Sequence, residues 1–316
     1  MTAAAAKVGV DVGGTKLLGV VLGPDGIADE ARVPTPRGAD ALIEAIVSLA
    51  VSLGAGEGGQ LGVGIPGLVT RSGVVRFSAN LPGVVDVDVA GRVAAGVGHG
   101  RVWVENDATA ALWGERRYGA AREVDDALIV TLGTGIGGAI LSDGRLLRGA
   151  NGFAGEFGHM TVDPDGPLCP CGRRGCWERY ASGSGLGRFG EEAAAEADGG
   201  RLRQLAGGTA AAVRGEHVTS AAAEGDPAAL RVLDRFGWWL ALGLANLVNL
   251  TDPSVILLGG GLTGAGDVLL DPVRRHLPEL MQGGPLHPAV PVLPAMLGEK
   301  AGAVGAAALA ADNLGG

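Results

Sequence analysis

Lysine, cysteine and aromatic residues are all scarce in this chain of 316 residues. Lysine occurs only as Lys7, Lys16 and Lys300, arginine carries the remaining basic charge, and the formal net charge is -9. An acidic chain lacks the basic face that phosphate attraction requires, which argues against nonspecific nucleic-acid binding. No apolar run reaches the roughly 18 residues of a membrane span. The nearest candidate, residues 238–250, is broken by Asn246 and Asn249 and reads as a buried helix. The opening MTAAAAKVGVDVGG also lacks the order of a signal peptide, because Asp11 interrupts its apolar run. A soluble, cytoplasmic protein with neither nucleic acid nor membrane as partner is expected.

Glycine is the abundant residue, with 58 copies clustered beside strand-like runs and without the triplet period of collagen. Such clusters mark turns and close backbone approaches. At roughly 150 residues per domain the length fits two domains, and a hydrophobic content of 47% fills a core in each. KVGVDV (7–12) reads as a strand, GGTK as a turn, LLGVVL (17–22) as a second strand and GPDG (23–26) as another turn. A helix over 39–53 and a strand over 61–67 follow, then a strand at 101–105 and a helix at 108–119 stopped by glycine. DALIVTLGTGIGGAIL (126–141) repeats the opening plan of strand, glycine turn and strand. A duplicated α/β architecture is therefore expected. Residues 190–225 read as helices with loops, 226–250 as one long helix capped by Asp226, 253–261 as a buried strand ending in glycines, and 301–314 as a small-residue helix.

GTGIGG (133–138) matches the dinucleotide pattern GxGxxG, but a strand follows it where that motif requires a helix. What remains is a pair of glycine hairpin turns, each with a threonine (Thr15, Thr134), whose exposed N–H groups suit phosphates. Asp11 ends the first strand, where a carboxylate can hold magnesium beside those phosphates. Asp107 ends another strand, and two roles are open to it: N-cap of the following helix, or acceptor of a proton from an attacking substrate hydroxyl.

All three cysteines fall in CPCGRRGCWE (169–178). An odd number of thiols in an intracellular chain points to a metal before disulfides. With His159 the set becomes H-x9-C-x-C-x4-C: His159, Cys169, Cys171 and Cys176 make a closed tetrahedral site for structural zinc, while a redox or reactive thiol is the rival. Glu156 and Glu178 flank this knot. Together with Asn80, Asn106 and Asp107 they form a set of acceptors and amides suited to the hydroxyls of a sugar.

DVGGTK (11–16), GIPG (64–67), ENDATAALWGE (105–115), LGTGIGGAI (132–140), GFAGEFGHMTVDPDGPLCPCGRRGCWE (152–178) and LGGG (258–261) resemble the ROK family of sugar kinases and repressors, with a pattern like its actinobacterial glucokinases. The resemblance implies an α/β, actin-like ATPase (ribonuclease H-like) fold with two domains around a nucleotide and sugar cleft. They are expected at 1–117 and 118–300, with the 301–314 helix returning to the first. It implies Asp107 as general base for a sugar 6-hydroxyl, and Asn106, Glu156, His159 and Glu178 as sugar contacts, with Asn80 nearby. It implies ATP with Mg2+ held by Asp11, Gly13, Gly14, Thr15, Lys16, Gly133, Thr134 and Gly135, and adenosine bordered by Gly259, Gly260 and Gly261. The activity so implied is ATP-dependent phosphorylation of a hexose, glucose first, by a homodimer or homotetramer. N-acetylmannosamine kinase, fructokinase and polyphosphate glucokinase are the alternatives within the class. A sugar-responsive regulator is the alternative outside it, and would need a DNA-binding module beyond the six residues preceding the first strand. One position departs from the family pattern: Val84 follows NLPG (80–83), where relatives carry an aromatic.

Overall fold

The computed structural model describes residues 6–24, 26–56, 59–98 and 101–314. The opening residues 1–5 and position 25 of the expected 23–26 turn lie outside them. In chain order the elements are β1 (Lys7–Val12), β2 (Lys16–Gly23), β3 (Gly26–Pro34), α1 (Ala39–Ser52), β4 (Gln60–Ile65), β5 (Leu68–Val69), β6 (Val74–Phe77), β7 (Val85–Asp88), α2 (Val89–Val97), β8 (Val102–Asn106) and α3 (Asp107–Tyr118). Then come β9 (Ala127–Leu132), β10 (Ile136–Ser142), β11 (Arg145–Leu146), α4 (Glu178–Ala181), α5 (Gly183–Ala194), α6 (Gly200–Leu205), α7 (Gly215–Ala223) and α8 (Pro227–Thr251). The chain closes with β12 (Val255–Gly259), α9 (Asp267–Leu280), β13 (Val292–Pro294) and α10 (Ala301–Leu314). No helix among the described residues is long and apolar enough to cross a membrane.

The two sheets share one plan. The first runs β3-β2-β1-β4-β8 and the second β11-β10-β9-β12-β13. In each, an antiparallel hairpin is extended by parallel strands: β1 pairs antiparallel with β2 and parallel with β4, while β9 pairs parallel with β12. The duplication expected from the repeated strand and glycine-turn pattern is thus present strand for strand.

Two compact units result, one of residues 1–125, 139–155 and 295–316, the other of 126–138 and 156–294. The expected division at 117 differs in two respects. The boundary falls after Asp125, and segment 139–155 belongs with the first unit. Arg148 explains the second difference, since its guanidinium reaches Glu105 at 2.7 Å and stacks over Trp103. Glu105 is only 1% exposed. Arg71 adds hydrogen bonds to the Gly149 carbonyl. The sequence separation of Glu105 and Arg148 hides that buried pair from any local pattern.

Alternation along β1 and β4 decides how the first unit packs. Val8, Val10 and Val12 on β1, with Leu61, Val63 and Ile65 on β4, join α1 and α2 residues in one buried cluster. The intervening positions are Gly9, Asp11, Gly62 and Gly64, and they face α10. A Cβ on Gly9 would lie 2.0 Å from the Ala303 carbonyl oxygen, and one on Gly62 only 1.9 Å from that of Ala306. Period-2 strands therefore offer large side chains to one helix layer and bare backbone to the other. Only a helix of small residues can use such a surface, and AGAVGAAALA supplies it.

Gly62→Ala is expected to lower unfolding free energy by about 1–3 kcal/mol through overpacking. Gly264→Ala, whose added Cβ meets nothing within 4 Å, serves as control. Urea denaturation of both variants checks this, and equal midpoints would contradict the close contact.

Candidate functional site

In the first unit, the β1–β2 turn is closed by Gly13 N–H donating to the Lys16 carbonyl at 2.9 Å. Thr35, absent from the sequence-derived site, braces the turn: its hydroxyl donates to the Gly13 carbonyl at 2.6 Å and its N–H to the Thr15 carbonyl at 3.0 Å. Gly14 lies against the backbone of Asn80. Gly14, Thr35, Arg37, Asn80 and the buried Val84 line a cavity of about 240 Å³. Lys16 pairs with Glu299, which also takes Arg32. The Lys16 ammonium, expected at phosphate, is thus engaged within the protein.

At the β8–α3 junction the N-cap is Asn106. Its carboxamide oxygen accepts from Ala108 and Thr109, and its Nδ2 donates to the Gly67 carbonyl at 3.2 Å. Asn106 thereby keeps one N–H for a ligand. Asp107, for which the cap was one of two open roles, is instead the first helical residue. Its carboxylate accepts the Ala108 N–H at 2.9 Å.

Asp11 and Asp107 are electrostatically coupled. Burial, then the Asp107 carboxylate, push the Asp11 pKa up to about 8 despite an opposing effect of Lys16. Burial likewise raises Asp107, against the N–H bonds that stabilise its charge. A Cβ on Gly302, in the first turn of α10, would lie 2.5 Å from Asp11 Oδ1. The helix thus covers this carboxylate directly. Raised carboxylates in a partly dry site are suited to taking up a proton or holding a cation.

In the second unit, residues 159–178 form a small ribbon. Thr161 bridges Cys176 and Leu168 bridges Arg174, with Gly172 and Gly175 at positive φ in its turns. Trp177 anchors the ribbon: it is fully buried, its Nε1 donates to the Trp239 carbonyl at 2.8 Å, and its ring occupies the space beside Gly243 of α8. The ligand atoms of His159, Cys169, Cys171 and Cys176 all lie within 4.8 Å of one another. Cys171 and Cys176 sulfurs are 3.5 Å apart, and Cys169 Sγ is 3.8 Å from His159 Nδ1. Burial raises the Cys169 and Cys176 thiols. Burial also acts on Cys171, but hydrogen bonds from the Arg173 N–H and the other thiols outweigh it and leave that pKa at about 6.

Glu178 Oε1 sits 3.0 Å from Cys169 Sγ and 3.7 Å from His159 Nδ1. A Cβ on Gly135 would lie 2.6 Å from Glu178 Oε2, so the second glycine turn adjoins the ribbon. Glu156 and His159 share one turn, His159 N–H donating to the Glu156 carbonyl. The Gly133 carbonyl accepts from Gly183, and the Thr134 carbonyl from the Ser184 hydroxyl. Gly260 packs on Leu132, beside Gly133, and Gly259 pairs with Thr131, so Gly259–Gly261 and Gly133–Gly135 are neighbours. The predicted residues therefore assemble into two groups, one in each unit. The sequence reading missed Thr35 and the cover over Asp11; a threonine after a strand and a glycine in a small-residue helix carry no local mark of such roles.

These features, glycine hairpins at corresponding places in duplicated sheets with carboxylates at strand ends, define a phosphotransferase-type α/β protein. The chain belongs to the ROK family, whose model matches residues 7–313. It is 41% identical to a glucokinase of Streptomyces coelicolor over 96% of this chain and 97% of that protein. A solved ROK glucokinase of Streptomyces griseus in complex with glucose and AMPPNP superposes with TM-score 0.86 at 39% identity, covering 98% of this chain and all of that one. A ROK hexokinase of Thermus thermophilus superposes with TM-score 0.76 at 35% identity, over 95% of this chain and 96% of that one. The fold is that of the actin-like ATPases, with two α/β domains.

The folded chain holds on Asp11 a proton that the unfolded chain releases between its ordinary pKa of 3.8 and about 8. Stability is therefore expected to fall as pH rises through that window, and Asp11→Asn removes this contribution. Thermal midpoints measured in chelator from about pH 5 to 8 should converge toward low pH and diverge in favour of the variant toward high pH. Parallel curves would contradict the assignment.

Proposed function

We propose that the protein transfers the γ-phosphoryl group of ATP to the 6-hydroxyl of glucose. The observation that carries this is the pair of carboxylates Asp11, near the end of β1 beside the Gly13–Lys16 turn, and Asp107, at the start of α3 after β8 with β4 between the two strands, each raised by burial and the second raising the first. Asp107 accepts the hydroxyl proton as that oxygen bonds to the γ-phosphorus and the bond to the ADP oxygen breaks. Burial, which raises its pKa, makes the carboxylate a stronger proton acceptor than an exposed one. Magnesium bound with ATP would neutralise phosphate charge, and Asp11 is the carboxylate assigned to hold it. Gly13–Thr15 and Gly133–Gly135 offer main-chain N–H groups to phosphates, and Gly259–Gly261 border the adenosine. Asn80, Asn106, Glu156, His159 and Glu178 are assigned to the hydroxyls of the sugar, the carboxylates accepting and the amides donating.

Zinc is assigned to His159, Cys169, Cys171 and Cys176. Tetrahedral zinc with Zn–S near 2.3 Å and Zn–N near 2.0 Å sets sulfurs about 3.8 Å apart and sulfur about 3.6 Å from nitrogen. The separations of 3.5 and 3.8 Å fit that geometry. Four protein ligands leave no open position, so the ion would be structural: it holds the ribbon that carries His159 and Glu178. With Nδ1 turned to the sulfurs, His159 keeps Nε2 for a hydroxyl. The family's homodimer or homotetramer is carried over as part of the same proposal.

A coupled assay with glucose, N-acetylmannosamine and fructose, and with ATP or polyphosphate, tests the assignment. Glucose with ATP should give the highest kcat/KM, and Asp107→Ala should lower kcat at least about 100-fold. Equal turnover by wild type and variant would remove Asp107 as base. Elemental analysis should find about one zinc per chain, and Cys176→Ser should lose both the metal and most of the glucose affinity. Metal-free protein with full activity would overturn the structural role.

A further inference from the structure

Helix α3 carries Asp107 in its first turn and Glu115 near its end. Glu115 is 0% exposed. No cation pairs with it among the described residues; the adjacent Arg116 and Arg117 reach Asp125 and Asp312 instead. Both of its oxygens accept main-chain N–H groups, Oε1 from Leu297 and Oε2 from Ala120, each at 2.7 Å. Leu297 caps the 3-10 turn of residues 298–300, which runs directly into α10 at Ala301. The next residue is Gly302, the one that confines Asp11. At the other oxygen, a Cβ on Gly119 would lie 2.0 Å from Oε2, so glycine there leaves the carboxylate room to reach Ala120.

A buried carboxylate without a cation is a costly way to fill space, and an apolar side chain would pack the same volume without that penalty. What the carboxylate adds is direction, since two charge-assisted hydrogen bonds fix two separate backbone segments against one helix. We propose that Glu115 is a positioning residue for phosphoryl transfer. Its contacts with Leu297 and Ala120 set the start of α10 against α3 and so, through Gly302, fix the Asp11 carboxylate beside Asp107. The role rests on the kinase assignment made above. It acts on the place of Asp11 and leaves the sugar contacts alone, so its signature is a split between kcat and KM.

Glu115→Gln replaces one acceptor oxygen by an N–H2 group that faces an N–H, and Gly119→Ala displaces the same carboxylate from outside. Both variants should lower kcat about tenfold or more while KM for glucose stays within about twofold. Both should also weaken Mn2+ binding to the ADP-loaded protein about tenfold, measured by electron paramagnetic resonance. Val93→Ala, a cavity in the buried cluster on the face of the sheet opposite α10, should lower the melting temperature without either change. If the two variants keep wild-type kcat and Mn2+ affinity, or lose them only in proportion to melting temperature as Val93→Ala does, the proposal is overturned. Should Glu115→Gln fail to fold, Gly119→Ala decides alone by the same criteria. A wild type without glucose turnover overturns the kinase assignment, and the Mn2+ affinities then judge Glu115 independently.

Discussion

The contact of α10 with the glycine face of β1 and β4 is the constraint on which the first unit depends. Backbone meets backbone there, because Gly9, Gly62 and Gly64 offer no side chains and Gly302, Ala303, Ala306 and Ala307 bring none larger than a methyl group. That proximity is what covers the Asp11 carboxylate on the same face of β1, and burial is the largest cause of its raised pKa. Replace the helix by one with larger residues and the carboxylate is either crushed or hydrated. The same packing that stabilises the sheet therefore sets the protonation chemistry beside Asp107, and packing and function cannot be varied independently at these positions.

The second unit solves a different problem with different means. His159 and Glu178 stand on a ribbon with little regular structure, which by itself has too few apolar contacts to hold side chains in place. Two anchors compensate. Trp177 locks the end of the ribbon to α8 through a full side chain of buried area and a hydrogen bond to the Trp239 carbonyl. At the other end three sulfurs and an imidazole gather, with Cys171 brought to about 6 while burial raises the other two thiols. Tyr180 adds a hydrogen bond of 2.6 Å to Asp163 and stacks on Trp239, extending the anchor into α4.

Much of this was legible in the sequence where a local rule applies. The two hairpins follow from apolar strand, glycine turn and apolar strand; the long helix α8 begins at Asp226, whose side chain accepts from Ala229 as its position predicted. The knot follows from cysteine spacing and one nearby histidine. Elements that break local rules were missed. Strand β3 carries GIADEARVP, mostly exposed and with Asp29, Glu30 and Arg32 along it, because it is the edge of its sheet and has little to bury. Helix α9 contains Pro272 and Pro278 in its interior, against every breaker rule. Contacts between distant positions were invisible for another reason: Glu105 with Arg148 and Glu115 with Leu297 are pairings of the fold, and nothing in GERRY or LLRG announces them. Asn106 and Asp107 show the same limit at shorter range, since either of two adjacent polar residues can cap a helix until the backbone chooses.

The central claim is that Asp107, kept partly dry beside an Asp11 confined by α10, takes the proton from the sugar 6-hydroxyl. A crystal structure with glucose and a non-hydrolysable ATP analogue tests it most directly. The claim requires an Asp107 carboxylate oxygen at about 2.6–3.2 Å from the 6-hydroxyl. A sugar bound with that hydroxyl turned to another acceptor, and Asp107 out of hydrogen-bond reach, would contradict it.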